Sequence, residues 1–366
     1  MDTSLIFLLS GSLLIPVIAK YFFHTTFSLQ EIVIHFVVVI LVVVSVWNIG
    51  KWSQTDDTEI LNGVITSKHR DHDTYEESYD CNCTTNSKGN TSCSTCWETH
   101  YTVDWYAKST VGNVQFDSED STSRSVYNYP NPLAYTNCAI GQPAATEHSY
   151  VNYVQAVPQS LFADQASVND FPEKIPKYPR VHSFYQVDHV INVDAEISPG
   201  QLTILDNGID NVLRELGPAK QANIILILTE IDDPTYRYAV EQSWLGGKKN
   251  DIIIFIGLDG NKITWVDVMT WALNSGNELF HVTLRDKISK QKHLDFVGLV
   301  PAINNTVAEL YDRPQMKDYE HLKEEITPPD WVIYLAVFLG YGGSILLVWF
   351  FHVHDIDLFR SRRKYY

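Results

Sequence analysis

Residues 331–351 read WVIYLAVFLGYGGSILLVWFF and contain no charged side chain. A helix needs about 20 apolar residues to cross a bilayer, and backbone groups within lipid must bond to one another. The stretch therefore predicts a membrane-spanning helix over 329–352. Two more apolar stretches, at about 5–19 and 30–48, predict two further membrane helices. Pro16 interrupts the first, which we expect to be retained because the start of the chain lacks the basic residues of a signal peptide.

The distribution of charge indicates the orientation. The chain carries 27 basic and 44 acidic side chains, a formal net charge of −17. The tail at 353–366 holds a basic cluster, Arg360, Arg362, Arg363 and Lys364. Basic residues beside membrane helices favour the cytoplasm, so we expect a cytoplasmic C-terminus and the large region 51–328 outside. The acidic surplus argues against nucleic acid as a partner, because phosphate contacts need Lys and Arg.

The first outer block, residues 51–180, is predicted to be a β-rich domain. Strand composition marks 63–67, 100–106 and 150–154. Between the last two, residues 117–147 are rich in Ser, Asp, Asn, Tyr and Pro and predict a long surface excursion. The three prolines of 171–180 predict an extended linker to the next domain.

Four cysteines lie between the first two predicted strands, nearly mirrored about Gly89: Cys81, Cys83, Cys93 and Cys96. A hairpin there would bring Cys81 near Cys96 and Cys83 near Cys93. Four thiolates with these short spacings suit a structural zinc site, whereas two disulfides suit an oxidising compartment. The predicted outside location favours disulfides. Cys138 is left over as a buried or free thiol.

The second outer block, residues 181–328, is predicted to alternate helix and strand. Ser198-Pro199 marks a helix start, and Gly217-Pro218 its end. Continuous apolar runs at 224–228 and 252–256 predict strands buried on both faces. Asp259-Gly260 predicts a tight hairpin into a third strand.

This block resembles the TPM-domain family over about 195–313. The matching features are the helix with apolar positions from Leu202 to Leu216, the strand 224–228, the segment WLGGKKND at 244–251 and the hairpin at 259–262. The resemblance implies an α/β sandwich tethered to a membrane. Some family members are acid phosphatases or calcium binders, and others act in assembly of membrane complexes. The chain departs from the family after the hairpin strand, at 269–278, which lacks the usual Gly-rich stretch.

The first outer block resembles uncharacterised membrane proteins of tailed bacteriophages over about 60–165. The features that carry this resemblance are the cysteine hairpin, the strand THYTVDWY at 99–106 and the strand SYVNYV at 149–154. It implies a phage-encoded, multi-pass protein of a bacterial inner membrane.

Three acidic residues follow predicted buried strands: Asp232, Asp233 and Asp259. Ligands usually bind at the carboxyl ends of strands in such sheets, and carboxylate oxygens suit Ca²⁺ or Mg²⁺. A metal site at this trio is one interpretation. The alternative is that the three aspartates are turn and cap residues, which Asp favours for local hydrogen bonding.

The predicted fold is therefore an α+β membrane protein with three transmembrane helices, a β-rich cysteine-hairpin domain and a TPM-like α/β sandwich domain. The sequence shows no phosphate-binding loop, nucleophile elbow or zinc-protease motif. We expect a non-enzymatic interaction or assembly module, anchored in a lipid bilayer, whose partner is a membrane or envelope protein. The alternative is a metal-dependent acid phosphatase of the TPM type.

Overall fold

The computed structural model describes residues 3–23, 27–157, 168–271 and 276–354. Most of the basic tail predicted to be cytoplasmic, residues 355–366, lies outside the described residues.

Within the described residues the chain is α+β, with ten α-helices and eight β-strands. The helices are α1 (Thr3–Leu13), α2 (Ile15–Phe23), α3 (Leu29–Trp52), α4 (Leu133–Asn137), α5 (Pro199–Lys220), α6 (Tyr236–Ser243), α7 (Glu278–Ser289), α8 (Leu299–Leu310), α9 (Asp330–Val337) and α10 (Gly343–Val353). The strands are β1 (Asp56–Thr85), β2 (Thr91–Ser109), β3 (Gly112–Ser121), β4 (Pro143–Val151), β5 (Val190–Asn192), β6 (Asn223–Thr229), β7 (Asp251–Asp259) and β8 (Lys262–Thr270).

The chain divides into two compact units. The helical unit comprises residues 1–56, 151–157 and 319–366. The outer unit comprises residues 57–150 and 158–318 and contains both β-sheets.

Three apolar helical segments of the helical unit are long enough to cross a bilayer: Leu5–Phe22, Leu29–Trp52 and Asp330–Val353, with mean hydropathies of 2.0, 2.8 and 2.0. The prediction of three apolar helices is confirmed as regards their length and composition. The first segment comprises α1 and α2, which are separated at Leu14. Pro16 lies at the second position of α2, where its missing N–H costs no helical hydrogen bond.

The second apolar helix begins at a complete capping box. Ser28 Oγ accepts a hydrogen bond from the Glu31 N–H (3.2 Å), and Glu31 Oε2 accepts one from the Ser28 N–H (2.7 Å). Both satisfy N–H groups that have no partner within the helix. The cap explains why α3 begins one residue before the predicted boundary.

Small residues let the apolar helices approach closely. A Cβ atom on Gly11 would collide with Tyr341, and one on Gly50 would collide with Val332. The Ser344 hydroxyl donates to the Ser12 carbonyl oxygen at 3.1 Å, and this contact is buried. Close backbone approach at Gly and Ser is the usual means of helix association in lipid, so the sequence of these helices suits a packed bundle.

The first sheet of the outer unit has the strand order β3-β2-β1-β4. β1 pairs with β2 in antiparallel register from Ile65–Ser109 to Thr85–Thr91. β3 pairs with β2 only from Tyr101 onward. Residues 75–100 therefore form a two-stranded hairpin that extends beyond the sheet, which we call the hairpin arm.

The hairpin arm is much longer than the sequence predicts. Strands are present at 63–67 and 100–106 as predicted, but each continues through the polar residues between them. Nearly all side chains from 71 to 95 are exposed, on both faces of the hairpin. A strand without a buried face does not alternate apolar and polar residues. Alternation therefore could not predict the extension of these two strands.

One face of the first sheet is covered by the chain that follows β3. Val103, Trp105 and Ala107 point into this core with at most 1% exposure. The residues 124–138 lie over them and contribute the buried Val126 and Cys138. The predicted surface excursion over 117–147 is therefore wrong in part, because this polar stretch contains a strand and supplies core residues.

The second sheet has the strand order β5-β6-β7-β8. β5, β6 and β7 are parallel, and β8 returns antiparallel from the predicted Asp259-Gly260 turn. Strands β6 and β7 are buried throughout except at Asp259, as their continuous apolar runs predict. The three-residue strand β5 was not predicted, since it is too short to show a pattern.

The two faces of the second sheet carry different helices. Ile224, Leu226 and Leu228 face α5, α7 and α8, whereas Ile225 and Ile227 face α6. The chain crosses from β5 to β6 through α5 and from β6 to β7 through α6. Both crossovers lead to the next strand in the same direction across the sheet. Because their helices cover opposite faces, the two crossovers have opposite hands, which departs from the usual all-right-handed rule.

Helix α5 begins as predicted and ends later than predicted. Ser198 and Gln201 form a capping box, and Pro199 occupies the first helical position. The expected stop at Gly217-Pro218 is wrong, because the helix continues to Lys220 and ends with Gln221 in the left-handed region (φ 52°). The role of Gly217 is close packing, since a Cβ there would collide with the backbone carbonyl of Asn62 on β1.

The segment predicted as a linker packs along the second sheet. Phe171, Ile175 and Tyr178 contact the α6 face of the sheet. Tyr236 OH donates to the Lys174 carbonyl oxygen at 2.7 Å, and Trp244 Nε1 donates to the Pro176 carbonyl oxygen at 2.9 Å. The prolines of this segment fit an extended chain whose carbonyl groups bond to neighbouring side chains.

Gly217→Ala should destabilise the outer unit, because the new methyl group meets backbone that cannot rotate away. We expect a loss of about 1–3 kcal/mol, typical of overpacking, and a lower thermal unfolding midpoint of the full-length protein in detergent. Gly200→Ala is the matched control, since it lies in the same helix with nothing within 4 Å of the added Cβ. Equal midpoints for both variants would contradict the close contact between α5 and β1.

Candidate functional site

The three aspartates predicted to bind a metal lie at one edge of the second sheet. β6 and β7 are parallel, with Thr229 opposite Gly257, so their carboxyl ends point the same way. The side chains of Asp232, Asp233 and Asp259 are exposed. Asp233 Oδ1 accepts a hydrogen bond from the Thr235 N–H (2.9 Å), which is a turn contact. Among the described residues no group of three His, Cys, Asp or Glu side chains is arranged to hold a metal ion. The Ca²⁺ or Mg²⁺ site thus stays a prediction without a supporting contact.

The cysteine hairpin contains two disulfides. Cys81 is bonded to Cys96, and Cys83 to Cys93. The pairing predicted from the mirrored spacing is confirmed, and the turn lies at residues 86–90 as expected. Since all four sulfur atoms are bonded in pairs, none is available as a zinc thiolate. Cys138 is free and buried.

The uncovered face of the first sheet is acidic. Tyr75 stacks on His100 with ring centroids 4.9 Å apart, and both side chains bond to Asp120. The Tyr75 hydroxyl donates at 2.6 Å, and His100 Nδ1 lies 3.0 Å from the other carboxylate oxygen. His100 Nε2 lies 3.5 Å from Glu77. We call the side of the sheet that carries this group the acidic face.

A second group of the same kind lies nearer the base of the arm. His69 stacks on Tyr106 with ring centroids 5.0 Å apart. The Tyr106 hydroxyl donates to Asp71 at 2.6 Å. Asp104 accepts a longer contact from Gln115, at 3.4 Å. The acidic face thus presents two pairs of an aromatic ring and a carboxylate, Tyr75 with Asp120 and Tyr106 with Asp71, across β1, β2 and β3.

Hydrogen bonding fixes the protonation states of these pairs. The bond to Asp120 raises the pKa of Tyr75 to about 12, and the same bond lowers the pKa of Asp120. The bond to Asp71 likewise raises the pKa of Tyr106. At neutral pH the face therefore carries neutral phenols and an ionised Asp120 carboxylate. Such a surface attracts cations and offers flat aromatic rings for packing.

The hairpin arm also exposes aromatic side chains. Trp97 is 66% exposed, Tyr79 50% and Tyr75 46%. Between residues 75 and 100 the arm carries four carboxylates and one lysine, Lys88. Tyr and Trp are enriched where proteins contact one another. The pairing register sets Tyr75 opposite His100 and Tyr79 opposite Cys96, so both tyrosines lie on the acidic face. Trp97 is opposite Ser78 and lies on the other face of the arm.

A buried polar network joins the first sheet to the second. Glu59 on β1 is 1% exposed and accepts two hydrogen bonds from Arg313 (2.5 and 2.6 Å). Asp57 accepts from Lys248 and from the Tyr150 hydroxyl. Burial raises the pKa of Tyr150 far above its usual value, so its hydroxyl remains a donor. The network holds the base of β1 against the loop before β7.

Comparisons with protein-family models, with curated proteins and with solved structures find no match for this chain. The resemblances to the TPM-domain family and to phage membrane proteins stay predictions.

Mass spectrometry of the purified protein should count the disulfides directly. Iodoacetamide added in denaturant without reductant should modify one cysteine, Cys138, and after reductant it should modify five. Without denaturant we expect no modification, because Cys138 is 3% exposed. The Cys138→Ser variant is the control and should give zero and four in denaturant. Three or more modified cysteines before reduction would contradict the two bonds.

Proposed function

We propose that this protein is a membrane-anchored interaction or assembly module whose hairpin arm binds an envelope or membrane protein outside the cytoplasm. Three apolar helices anchor the chain, and the arm carries the contact surface. The module is non-enzymatic in this proposal. We place it in a bacterial inner membrane and regard it as phage-encoded, on the strength of the sequence resemblance of residues 60–165.

The observation that carries the proposal is the exposure of the hairpin arm. An isolated two-stranded hairpin is marginally stable in water, and this one has no covered face beyond Tyr101. Two disulfides stabilise it by restricting the unfolded chain, by about 2–4 kcal/mol each in typical cases. The arm is covalently stabilised, and its Trp97 and Tyr79 are at least half exposed against the described part of the outer unit, which favours binding to another molecule.

Charge indicates what kind of partner suits the arm. Glu77 is 63% exposed and Asp120 41% exposed, so their carboxylates remain available at the surface. Complementary potentials guide association and exclude partners of like charge. The partner should therefore present Lys and Arg around an apolar contact. A second copy of this acidic chain is a poor candidate for the same reason.

Two observations support the proposed compartment. Disulfides persist in oxidising compartments and are rare in the cytosol, which supports placing the arm outside. The basic cluster at 360–364 supports a cytoplasmic tail. With three membrane helices, the proposed arrangement also has the N-terminus outside.

The TPM-like assignment of the second sheet also remains part of the proposal. The order of the described elements supports this assignment: a long helix, a buried strand, a short helix, a second buried strand and a hairpin strand. The alternative expectation, a metal-dependent acid phosphatase, has no specific contact in its favour among the described residues.

Photo-cross-linking should detect the partner at the arm. A photoreactive amino acid at position 97 or 79, in the membranes of cells that express the natural partner, should give one discrete cross-linked species. The same amino acid at Leu279, which is 66% exposed on α7, is the control and should not.

The charge requirement is tested in the same assay. Glu77→Lys combined with Glu98→Lys should reduce the cross-linked species several-fold, whereas Asp259→Lys, a charge reversal at an exposed site outside the arm, should leave it unchanged. Equal cross-linking from position 279, or no response to charge reversal on the arm, would refute the proposal.

Orientation can be measured in intact cells with the cysteines themselves. A membrane-impermeant reductant followed by an impermeant maleimide should label the arm cysteines. A Tyr366→Cys variant in a background of Cys81, Cys83, Cys93 and Cys96 all changed to Ser should be labelled only after the membrane is permeabilised. The opposite pattern would place the arm in the cytoplasm.

A further inference from the structure

The outer unit contains a polar pocket that the proposed interaction surface does not include. Its volume is about 240 Å³, the space of roughly eight water molecules at about 30 Å³ each. It opens among β1, β4, α5 and the chain before β5. Its polar lining includes Gln142, Tyr185, His189, Asn207, Asp210 and Asn211. No Lys or Arg is among the lining residues that the structure describes.

His189 lies at the base of the pocket with 1% exposure. Its Nδ1 is 2.9 Å from the Ile224 carbonyl oxygen, so Nδ1 carries the proton and donates it there. Burial lowers the pKa of His189 to about 4. The ring is therefore neutral at physiological pH, and Nε2 offers a lone pair as a hydrogen-bond acceptor.

Asp210 Oδ1 lies 3.5 Å from that Nε2. Burial, with the nearby carboxylates Asp206 and Asp188, raises the pKa of Asp210 to about 7. Asp206 already accepts hydrogen bonds from the His189 and Val190 N–H groups. Asp188 is exposed and its carboxylate lies 3.3 Å from His182.

An ionised Asp210 and a neutral His189 are two acceptors facing each other, and neither can donate to the other. The pair needs a donor between them. One solution is a proton on Asp210 itself, which its raised pKa favours. The other is a donor supplied by a bound molecule, placed within hydrogen-bond distance of both atoms.

We propose that the polar pocket binds a small organic molecule through a primary ammonium group, which donates simultaneously to His189 Nε2 and Asp210 Oδ1. An –NH₃⁺ group has three donors and no acceptor, so it satisfies both atoms and neutralises the carboxylate. The amides of Asn207 and Asn211 are exposed at the pocket and suit hydroxyl groups on the rest of the molecule. This site is independent of the hairpin arm.

Equilibrium dialysis of the full-length protein in non-ionic detergent tests the site with two probes of one shape. Glucosamine carries an ammonium group where glucose carries a hydroxyl. We expect glucosamine to bind and glucose to bind at least tenfold more weakly. Asp210→Asn should weaken glucosamine at least tenfold, while Asp286→Asn, which removes the same charge from an exposed residue outside the pocket, should leave binding unchanged.

The pH dependence separates the ammonium site from a general polar cavity. The ammonium group requires ionised Asp210, and apparent affinity scales with the fraction of protein in the competent state. With a pKa of about 7, that fraction falls about tenfold from pH 8 to pH 6. Glucosamine affinity should fall several-fold, by less than this factor because its weakly basic amino group is itself only partly protonated at pH 8, and the small remaining affinity of Asp210→Asn should not fall.

Three outcomes would overturn the inference: no binding of glucosamine, equal binding of both sugars, or affinity that does not weaken between pH 8 and pH 6. Thermal unfolding of Asp210→Asn checks that the variant is folded. The comparison of the two sugars on the unaltered protein needs no variant, so misfolding cannot mask the result. Failure here would leave the hairpin-arm proposal unaffected, since that is tested by cross-linking at different residues.

Discussion

The buried carboxylate of Asp251 is the constraint on which the outer unit depends. It is fully buried and accepts hydrogen bonds from the Lys248 N–H (2.7 Å), the Asn223 side chain (2.9 Å) and the Tyr178 hydroxyl (2.9 Å). These partners belong to the loop before β7, the start of β6 and the segment along the α6 face. Burial raises the pKa of Asp251 to about 6, so the hydrogen bonds do not fully offset the desolvation. Loss of these partners would leave a buried charge unpaired, at a cost of several kcal/mol. The three parts of the chain are therefore held in one arrangement.

The same point connects the two sheets. Asn223, which donates to Asp251, accepts a hydrogen bond from the Asn62 side chain on β1 (2.9 Å), and Asn250 donates to the Ile60 carbonyl oxygen (2.6 Å). The edge of the first sheet is thereby fixed against the start of β6 and β7. The polar pocket lies beside this contact, since Asn62 is also one of its lining residues. Gly217 lets α5 approach Asn62, while farther along the helix Asn207 and Asp210 line the space beside β4.

The sequence predicted correctly those elements whose capping residues, turn residues or apolar pattern are contained within a few neighbouring positions. The capped helix from Ser198, the strand at 224–228 and the Asp259-Gly260 hairpin each carry their own signal within a few residues. The arm extension and β5 carry none, because a strand exposed on both faces has no alternation and three residues have no period. His189 and Asp210 face each other because of where α5 packs. The acidic face depends on the strand register that places Tyr75 opposite His100. Contacts between distant residues of this kind have no signature in a single sequence.

The order of the hairpin arm depends on its two disulfides more than on side-chain packing. Within residues 75–100 the cross-strand neighbours are mostly polar, and like charges stand directly opposite at Glu77 and Glu98, which is unfavourable in a hairpin. Burial contributes little there, since nearly every side chain is exposed. The main covalent stabilisation is the pair of disulfides near the tip, which close loops with sequence separations of 15 and 10 residues. Such bonds are maintained only in an oxidising compartment. The two bonds therefore agree with the outside location that we propose for the arm from the charge around the membrane helices.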